Sequence, residues 1–344
     1  GKTRVLTYRV ALLVASRGVD PARILAITFT NKAAEEMRGR IYRLVGPRAG
    51  SIWVSTFHSA CSRILRREAE RLGYRKGFVI YDDDDQLRMI NRIIKDMEID
   101  TKRYPPRLVR SLINDAKNEM IDADSYRDRI EDELTEVVSG VYKAYQAQLF
   151  RNNAMDFDDL LLNTVAVFEL YGPVLEHYQE RFSHINVDEY QDTNLAQYRL
   201  VKLLSAGHRN LCVVGDDDQS IYSWRGADLR NILEFEKDYP ESRVVRLERN
   251  YRSTRVILEA ANNVVSHIPG RKEKRLWTER EEGEPIRYFF ANSGSDETAY
   301  VALEVSRLLE GGEYGQRDFA VFYRTKAQSR PFEEILLRFG IPYK

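Results

Sequence analysis

The stretch Ile185-Asn186-Val187-Asp188-Glu189-Tyr190-Gln191-Asp192-Thr193-Asn194 constrains this chain more than any other. Ile185 and Val187 fall on one face of a strand, and the run stops on two adjacent carboxylates. At the carboxyl edge of a sheet one such carboxylate can hold Mg²⁺ while its neighbour orients or deprotonates a water, the Walker B pattern. An acidic turn after a strand is the plainer reading of the pair alone. What argues against it lies at the other end of the chain.

The sequence opens Gly1-Lys2-Thr3, followed by Val5, Leu6, Val10, Leu12 and Leu13 at roughly helical spacing. Gly-Lys-Thr leading into a helix is the tail of a phosphate-binding loop. Its lysine reaches the β- and γ-phosphates, its threonine hydroxyl ligates Mg²⁺, and the helix N-terminus favours anions. Three residues are weak by themselves. Lys2 and Thr3 together with Asp188 and Glu189 supply both halves that a nucleoside-triphosphate site requires.

Between these halves the chain alternates strands and helices. Residues 24–30 read as a buried strand, with Thr30 or Asn31 capping a helix that carries Ala33, Ala34, Met37 and Ile41. Residues 51–57 read as a second strand, followed by His58, Ser59 and a helix to about Leu72. This alternation predicts a doubly wound parallel sheet with ligands at the carboxyl ends of its strands, where Phe29, Thr30, Thr56 and His58 fall. From periodicity alone, Phe29 reads as a core aromatic.

Residues 79–154 change texture, being dense in charge and helical in period, with only 78–81 resembling a strand. They read as an all-helical insertion, in which the run from Asp82 to Asp85 is a solvated helix start rather than a metal site. The parent domain resumes at Met155 with a helix through Phe168, then the acidic strand, then a helix over 196–204. A strand over 211–216 ends in Asp216-Asp217-Asp218-Gln219. Gln219 is placed to bond a γ-phosphate or the attacking water, and Tyr222, Trp224 and Arg225 form the aromatic and cationic cluster that stacks on unpaired bases. A further strand is expected at 244–247, then a helix capped by Ser253, with Tyr251 able to stack on a base and Arg252 to meet an anion. The basic run Arg271-Lys-Glu-Lys-Arg275 reads as a solvated surface segment. Strands at 286–291 and 319–323, with helices at 297–309 and 330–339, suggest a second α/β domain.

Composition sets few limits. With 53 basic and 53 acidic residues the net charge is zero, so any basic groove for nucleic acid must be local. Cys61 and Cys212 are the only cysteines, and their apolar setting suits a reducing cytosol. No apolar run reaches the roughly 18 residues that span a bilayer. The expected setting is cytoplasmic, and the chain reads as a piece cut at both ends.

Gly1-Lys-Thr3, Ala26-Ile-Thr-Phe-Thr-Asn-Lys-Ala-Ala34, Ser55-Thr-Phe-His-Ser59, Asp156-Phe-Asp-Asp-Leu160, Val187-Asp-Glu-Tyr-Gln-Asp-Thr193, Gly215-Asp-Asp-Asp-Gln-Ser-Ile-Tyr-Ser-Trp-Arg-Gly-Ala-Asp228, Asn250-Tyr-Arg-Ser-Thr254 and Tyr323-Arg-Thr-Lys-Ala-Gln-Ser-Arg330 occur in this order. In that order they resemble the motifs of superfamily 1 DNA helicases of the UvrD, PcrA and Rep group. The resemblance implies a P-loop NTPase fold: a RecA-like ATPase domain (1–78 and 155–247), a helical insertion (79–154) and part of a second RecA-like domain (248–344). It implies ATP and Mg²⁺ as cofactors, with Lys2 and Thr3 on the phosphates, Thr3 and Asp188 on Mg²⁺, and Tyr251 on adenine. Glu189 would activate water, Gln219 would sense the γ-phosphate, and Arg252 would contact it. Phe29, His58, Phe157, Tyr222, Trp224 and Arg225 would line a track for single-stranded DNA. The partners implied are single strands and single-to-double-strand junctions, with movement 3′→5′ and unwinding in repair or replication restart.

The sequence departs from that pattern at its ends. The glycine-rich half of the phosphate loop, the upstream adenine-reading glutamine motif and the late motif carrying an arginine finger are absent. The chain on its own is therefore expected to bind and hydrolyse nucleotide poorly. Lys326 stands where the group often has Asn. A helicase–nuclease of the RecB or AddA kind and a non-catalytic DNA-binding protein on the same fold are the alternatives; the intact Lys2, Asp188 and Glu189 argue against the second.

Overall fold

Five consecutive buried residues, Ile24–Thr28 (β1), make a strand with no solvent face, and a strand of that kind has to sit inside a parallel sheet covered on both sides. The computed structural model describes residues 1–344, the side chain of Arg225 excepted. In it β1 is flanked by Trp53–Thr56 (β2) on one side and His184–Val187 (β5) on the other, with Leu211–Val213 (β6) beyond β5. All three pairings are parallel, in the registers Leu25 with Trp53, Ile24 with His184 and Ile185 with Leu211.

Alternate residues of β1 face different layers. Ile24 and Ala26 pack with Leu6 and Val10 of Lys2–Ala15 (α1) and with Met37 and Ile41 of Asn31–Val45 (α2). Leu25 and Ile27 pack on the other side, with Phe57 and Leu65 of Phe57–Glu68 (α3) among their cluster. The period of two, with helices on both faces, is the doubly wound arrangement. Thr30, not Asn31, caps α2, its hydroxyl accepting the Ala33 N–H at 3.1 Å, and Thr56 caps α3 by accepting that of Ser59 at 3.2 Å.

The stretch between Phe78 and Met155 holds Val79–Tyr81 (β3), Asp83–Asp96 (α4), Pro106–Asn118 (α5), Glu133–Arg151 (α6) and Ala154–Asp156 (β4). It has a core of its own, with Ile90, Ile94, Val109, Ile113, Val141 and Tyr145 at its centre. Its entry and exit are tied together by β3 and β4, which pair in parallel from Val79–Ala154 to Tyr81–Asp156. Asp82 caps α4 in a reciprocal box with Asp85, so the acidic run does serve as a helix start. Phe157–Leu170 (α7) and Gly172–Arg181 (α8) then lead to β5, and Leu195–Ser205 (α9) to β6, with the short turns Arg230–Leu233 (α10) and Phe235–Asp238 (α11) beyond.

The chain forms two compact units, one of residues Gly1–Ser253 with Ala261–Glu279, the other of Thr254–Ala260 with Arg280–Lys344. Arg255–Val265 (α12) contributes to both, and Thr254 rather than Ser253 immediately precedes it. In the second unit Gly294–Glu310 (α13) and Ser329–Arg338 (α14) pack on each other, much as expected.

Three of the strands expected outside the central sheet do not form. Residues 244–247 carry no ladder, and the nearest pairing is an isolated bridge between Arg249 and Trp277. Residues 286–291 and 319–323 make no ladder, with Tyr288 87% and Phe322 92% exposed. A strand is held by its ladder and one buried face. A short apolar run alone supplies neither. Among the described residues no helix is long and apolar enough to cross a membrane.

Candidate active site

The order of the central sheet reverses direction at β1, with β2 on one side and β5 on the other, the kind of switch point beyond whose carboxyl strand ends open α/β sheets bind ligands. Asp188 follows β5 directly and stays in the ladder, its N–H donating to the Ile27 carbonyl at 2.9 Å. Glu189 then takes φ 51° and ψ 43°, left-handed geometry that costs a non-glycine residue on the order of 1–3 kcal/mol. The chain leaves the sheet at that residue, and the Tyr190–Asp192 turn follows. Both carboxylates are left at the sheet's edge.

The N-terminus of α1 comes to the same edge. Lys2 Nζ lies 3.6 Å from Glu189 Oε2 and 3.5 Å from Asp216 Oδ2, and the Thr3 side chain is near enough to Asp188 to draw its carboxyl down. Residues nearly two hundred positions apart thus share one cluster. Burial, then the neighbouring Glu189 charge, raises the Asp188 carboxyl above its ordinary value, against the pull of Thr3 and Lys2. Lys2 Nζ is buried and makes no hydrogen bond despite its two ion pairs, which leaves donors for an anion. A hydroxyl beside a carboxylate, next to an ammonium with spare donors, is a donor set that suits Mg²⁺ on a phosphate chain.

Gln191 stitches this edge together. Its Nε2 donates to Glu189 Oε2 at 3.1 Å, and its Oε1 accepts the Asp216 N–H at 2.9 Å. A Cβ on Gly215 would meet Gln191 Oε1 at 2.7 Å and Ile232 at 2.6 Å, so a side chain there would push both away from the loop after β6. Gln219, expected on the γ-phosphate, donates to Asp216 Oδ2 at 2.5 Å and is exposed. The same loop is pinned farther on: Asp228 N–H reaches the Thr193 carbonyl at 2.9 Å, and Asn231 Nδ2 reaches it too.

The residues expected on DNA fall into two groups. His58, in the first turn of α3, meets Phe157, in the first turn of α7, edge to face at 5.9 Å. Burial lowers the His58 imidazole below its ordinary value, and Phe157 is 46% exposed. Phe29 is half-buried with its ring edge-on to Phe57 at 5.6 Å, packed against the core as the periodicity reading has it. Tyr222 and Trp224 pair at 6.2 Å, Trp224 being 69% exposed. The Arg225 side chain lies outside the described residues. Tyr251 is exposed under the Arg249 guanidinium at 4.8 Å, and the exposed Arg252 donates its backbone N–H to Asn250 Oδ1 at 2.7 Å.

The basic run after Gly270 corrects an expectation. It is not a solvated segment. Arg271 donates to both Asp218 oxygens at 3.0 and 2.8 Å, Lys272 Nζ pairs with Glu236 at 2.7 Å, and Lys274 reaches Asp216 at 2.5 Å, Asp218 at 3.2 Å and Asp217. Three adjacent carboxylates after β6 attract counter-charge, and no sequence periodicity could show which basic run supplies it.

A family model described as UvrD/REP helicase N-terminal domain matches residues 1–240, and one described as UvrD-like helicase C-terminal domain matches residues 245–344. Among curated proteins, the ATP-dependent DNA helicase PcrA of Staphylococcus epidermidis is 51% identical over 343 residues, and that of Staphylococcus aureus is 50% identical over the same length. Each alignment covers 100% of this chain and 47% of the relative. The chain spans about half the length of the curated relatives it matches. With the strand-edge cluster and both matches in view, the chain belongs to the UvrD/Rep family of helicases.

Proposed function

We propose that the protein to which this chain belongs is an ATP-dependent DNA helicase that moves 3′→5′ on single-stranded DNA and opens duplex at junctions during repair or replication restart. The observation that carries this reading is the meeting of Lys2 with Glu189 and Asp216 at the edge where Asp188 follows β5. Lys2 would bind the β- and γ-phosphates, Thr3 and Asp188 would hold Mg²⁺, and the metal would supply charge stabilisation of the transferring phosphoryl group. Glu189 would take a proton from the attacking water. Gln219 and Arg252 would read the γ-phosphate, and Tyr251 would stack on adenine. His58, Phe157, Phe29, Tyr222, Trp224 and Arg225 would carry the bases.

In this reading residues 1–78 and 155–247 are the ATPase domain, 79–154 the helical insertion and 248–344 part of a second RecA-like domain. The loop from Asp216 to Trp224 joins the phosphate end to the stacking end, a short route from γ-phosphate to base. Nucleotide state would move that loop by the usual logic of a triphosphate switch. This stretch alone, at about half the relatives' length, is expected to turn over ATP well below the full-length rate.

The test is Glu189→Gln in the full-length protein. A lost general base typically costs about 10²–10⁴ in rate. DNA-stimulated ATP hydrolysis should fall by that order while ATP and single-strand binding persist. Hydrolysis near the wild-type rate would overturn the role given to Glu189, and no binding of ATP by the wild type would overturn the reading itself.

A further inference from the structure

Asp216 sits between two lysines. Its Oδ2 faces Lys2 Nζ at 3.5 Å and accepts Gln219 Nε2 at 2.5 Å, while its Oδ1 accepts Lys274 Nζ at 2.5 Å. Asp216 and Lys274 are both largely withdrawn from water, so their attraction is screened less than that of a surface pair. Lys274 is itself held in place. Arg271 bonds the Lys274 carbonyl at 3.1 Å as well as Asp218, and the Lys272 N–H reaches Asp217 at 3.3 Å. The whole 271–274 segment is clamped onto the acidic loop within one compact unit.

This arrangement matters for Lys2. A lysine that is to bind phosphate must leave the carboxylates it faces, and a buried carboxylate left without a cation resists that departure. We propose that Lys274 is a positioning residue for the nucleotide: it neutralises Asp216 so that Lys2 can turn to the phosphates, and it fixes the Asp216 oxygen on which Gln219 is anchored. The inference rests on the nucleotide-site reading above. It adds a counter-ion contributed from a segment almost sixty residues beyond the acidic loop.

Titration of Mg-ATP against the full-length protein, with steady-state ATP hydrolysis alongside, separates the possibilities. Lys274→Met is expected to weaken Mg-ATP binding roughly tenfold, corresponding to a change of about 1.4 kcal/mol. Lys274→Arg is expected to restore most of the affinity. In an Asp216→Asn background, where the Asp216 carboxylate no longer holds Lys2 back and Glu189 alone faces it, Lys274→Met is expected to cost much less; that double variant also serves if Lys274→Met alone does not fold. Unchanged affinity in Lys274→Met, or an equal loss with and without Asp216, overturns the inference while leaving the nucleotide site standing. Failure of the wild type to bind Mg-ATP overturns both.

Discussion

Asp216 shows how one side chain registers the state of its surroundings. Burial alone would raise its carboxyl, but the Lys274 hydrogen bond and the Lys2 charge together bring it below the ordinary 3.8. A carboxylate depressed on folding contributes stability that is fully present above its unfolded value and is lost as pH falls through the folded one. Urea unfolding followed below pH 3.8 should therefore show a shallower loss of stability in Asp216→Asn than in the wild type. Cys61 is the opposite case, since burial pushes its thiol up to about 12 and it has no exposed surface. A thiol reagent at neutral pH should leave Cys61 unmodified in the native protein and label it once unfolded, as read by mass spectrometry. The meeting of Lys2 with the acidic pair was legible in the sequence, because phosphate and Mg²⁺ chemistry, if present, would need those residue types at the start of a helix and the end of a strand. Lys274 was not, because its role depends on which carboxylates the fold brings to it. The left-handed turn at Glu189 was hidden too, as nothing in the residue's type requires it.

At the scale of elements, the helices between Phe78 and Met155 meet the start of α7 through a buried ion cluster. Lys117 of α5 donates to Asp156 and Asp159 at 2.7 Å each, at the end of β4 and in the first turn of α7. Tyr145 and Gln86 also bond Asp156, and Gln146 bonds Asp159, so three insertion helices converge on the residues that start the Phe157 helix. Against burial, Lys117 holds the Asp156 carboxyl low, while burial and Asp156 push Asp159 up to about 6. Lys117→Met strands two buried carboxylates and should cost about 3–5 kcal/mol in denaturant unfolding. Trp224 tests a different kind of element, an exposed loop aromatic. Trp224→Ala should weaken single-strand binding by about 1–3 kcal/mol, the worth of one stacked base, with little change in melting temperature. Single-strand affinity equal to wild type would remove Trp224 from the DNA track. The central strands and the helices with clear apolar stripes were readable from period alone. The runs at 244–247, 286–291 and 319–323 do not form strands, and a short apolar, β-branched run carries no sign of whether a ladder partner exists for it.

At the scale of the whole molecule, the acidic strand, the N-terminal helix and the loop after β6 converge although they are scattered over more than two hundred residues. Parallel topology does this, since it brings the carboxyl ends of β1, β5 and β6 to one edge. The central claim is that Lys2 with Thr3, and Asp188 with Glu189, serve one Mg-triphosphate. Equilibrium titration of Mg-ATP against the full-length protein, its Lys2→Ala variant and its Asp188→Asn variant tests this most directly. The account predicts a loss of at least roughly tenfold in affinity for Lys2→Ala, about 1.4 kcal/mol or more, and for Asp188→Asn a loss that disappears when ATP is titrated without Mg²⁺. Wild-type affinity in both variants, with Mg²⁺ present, would contradict it.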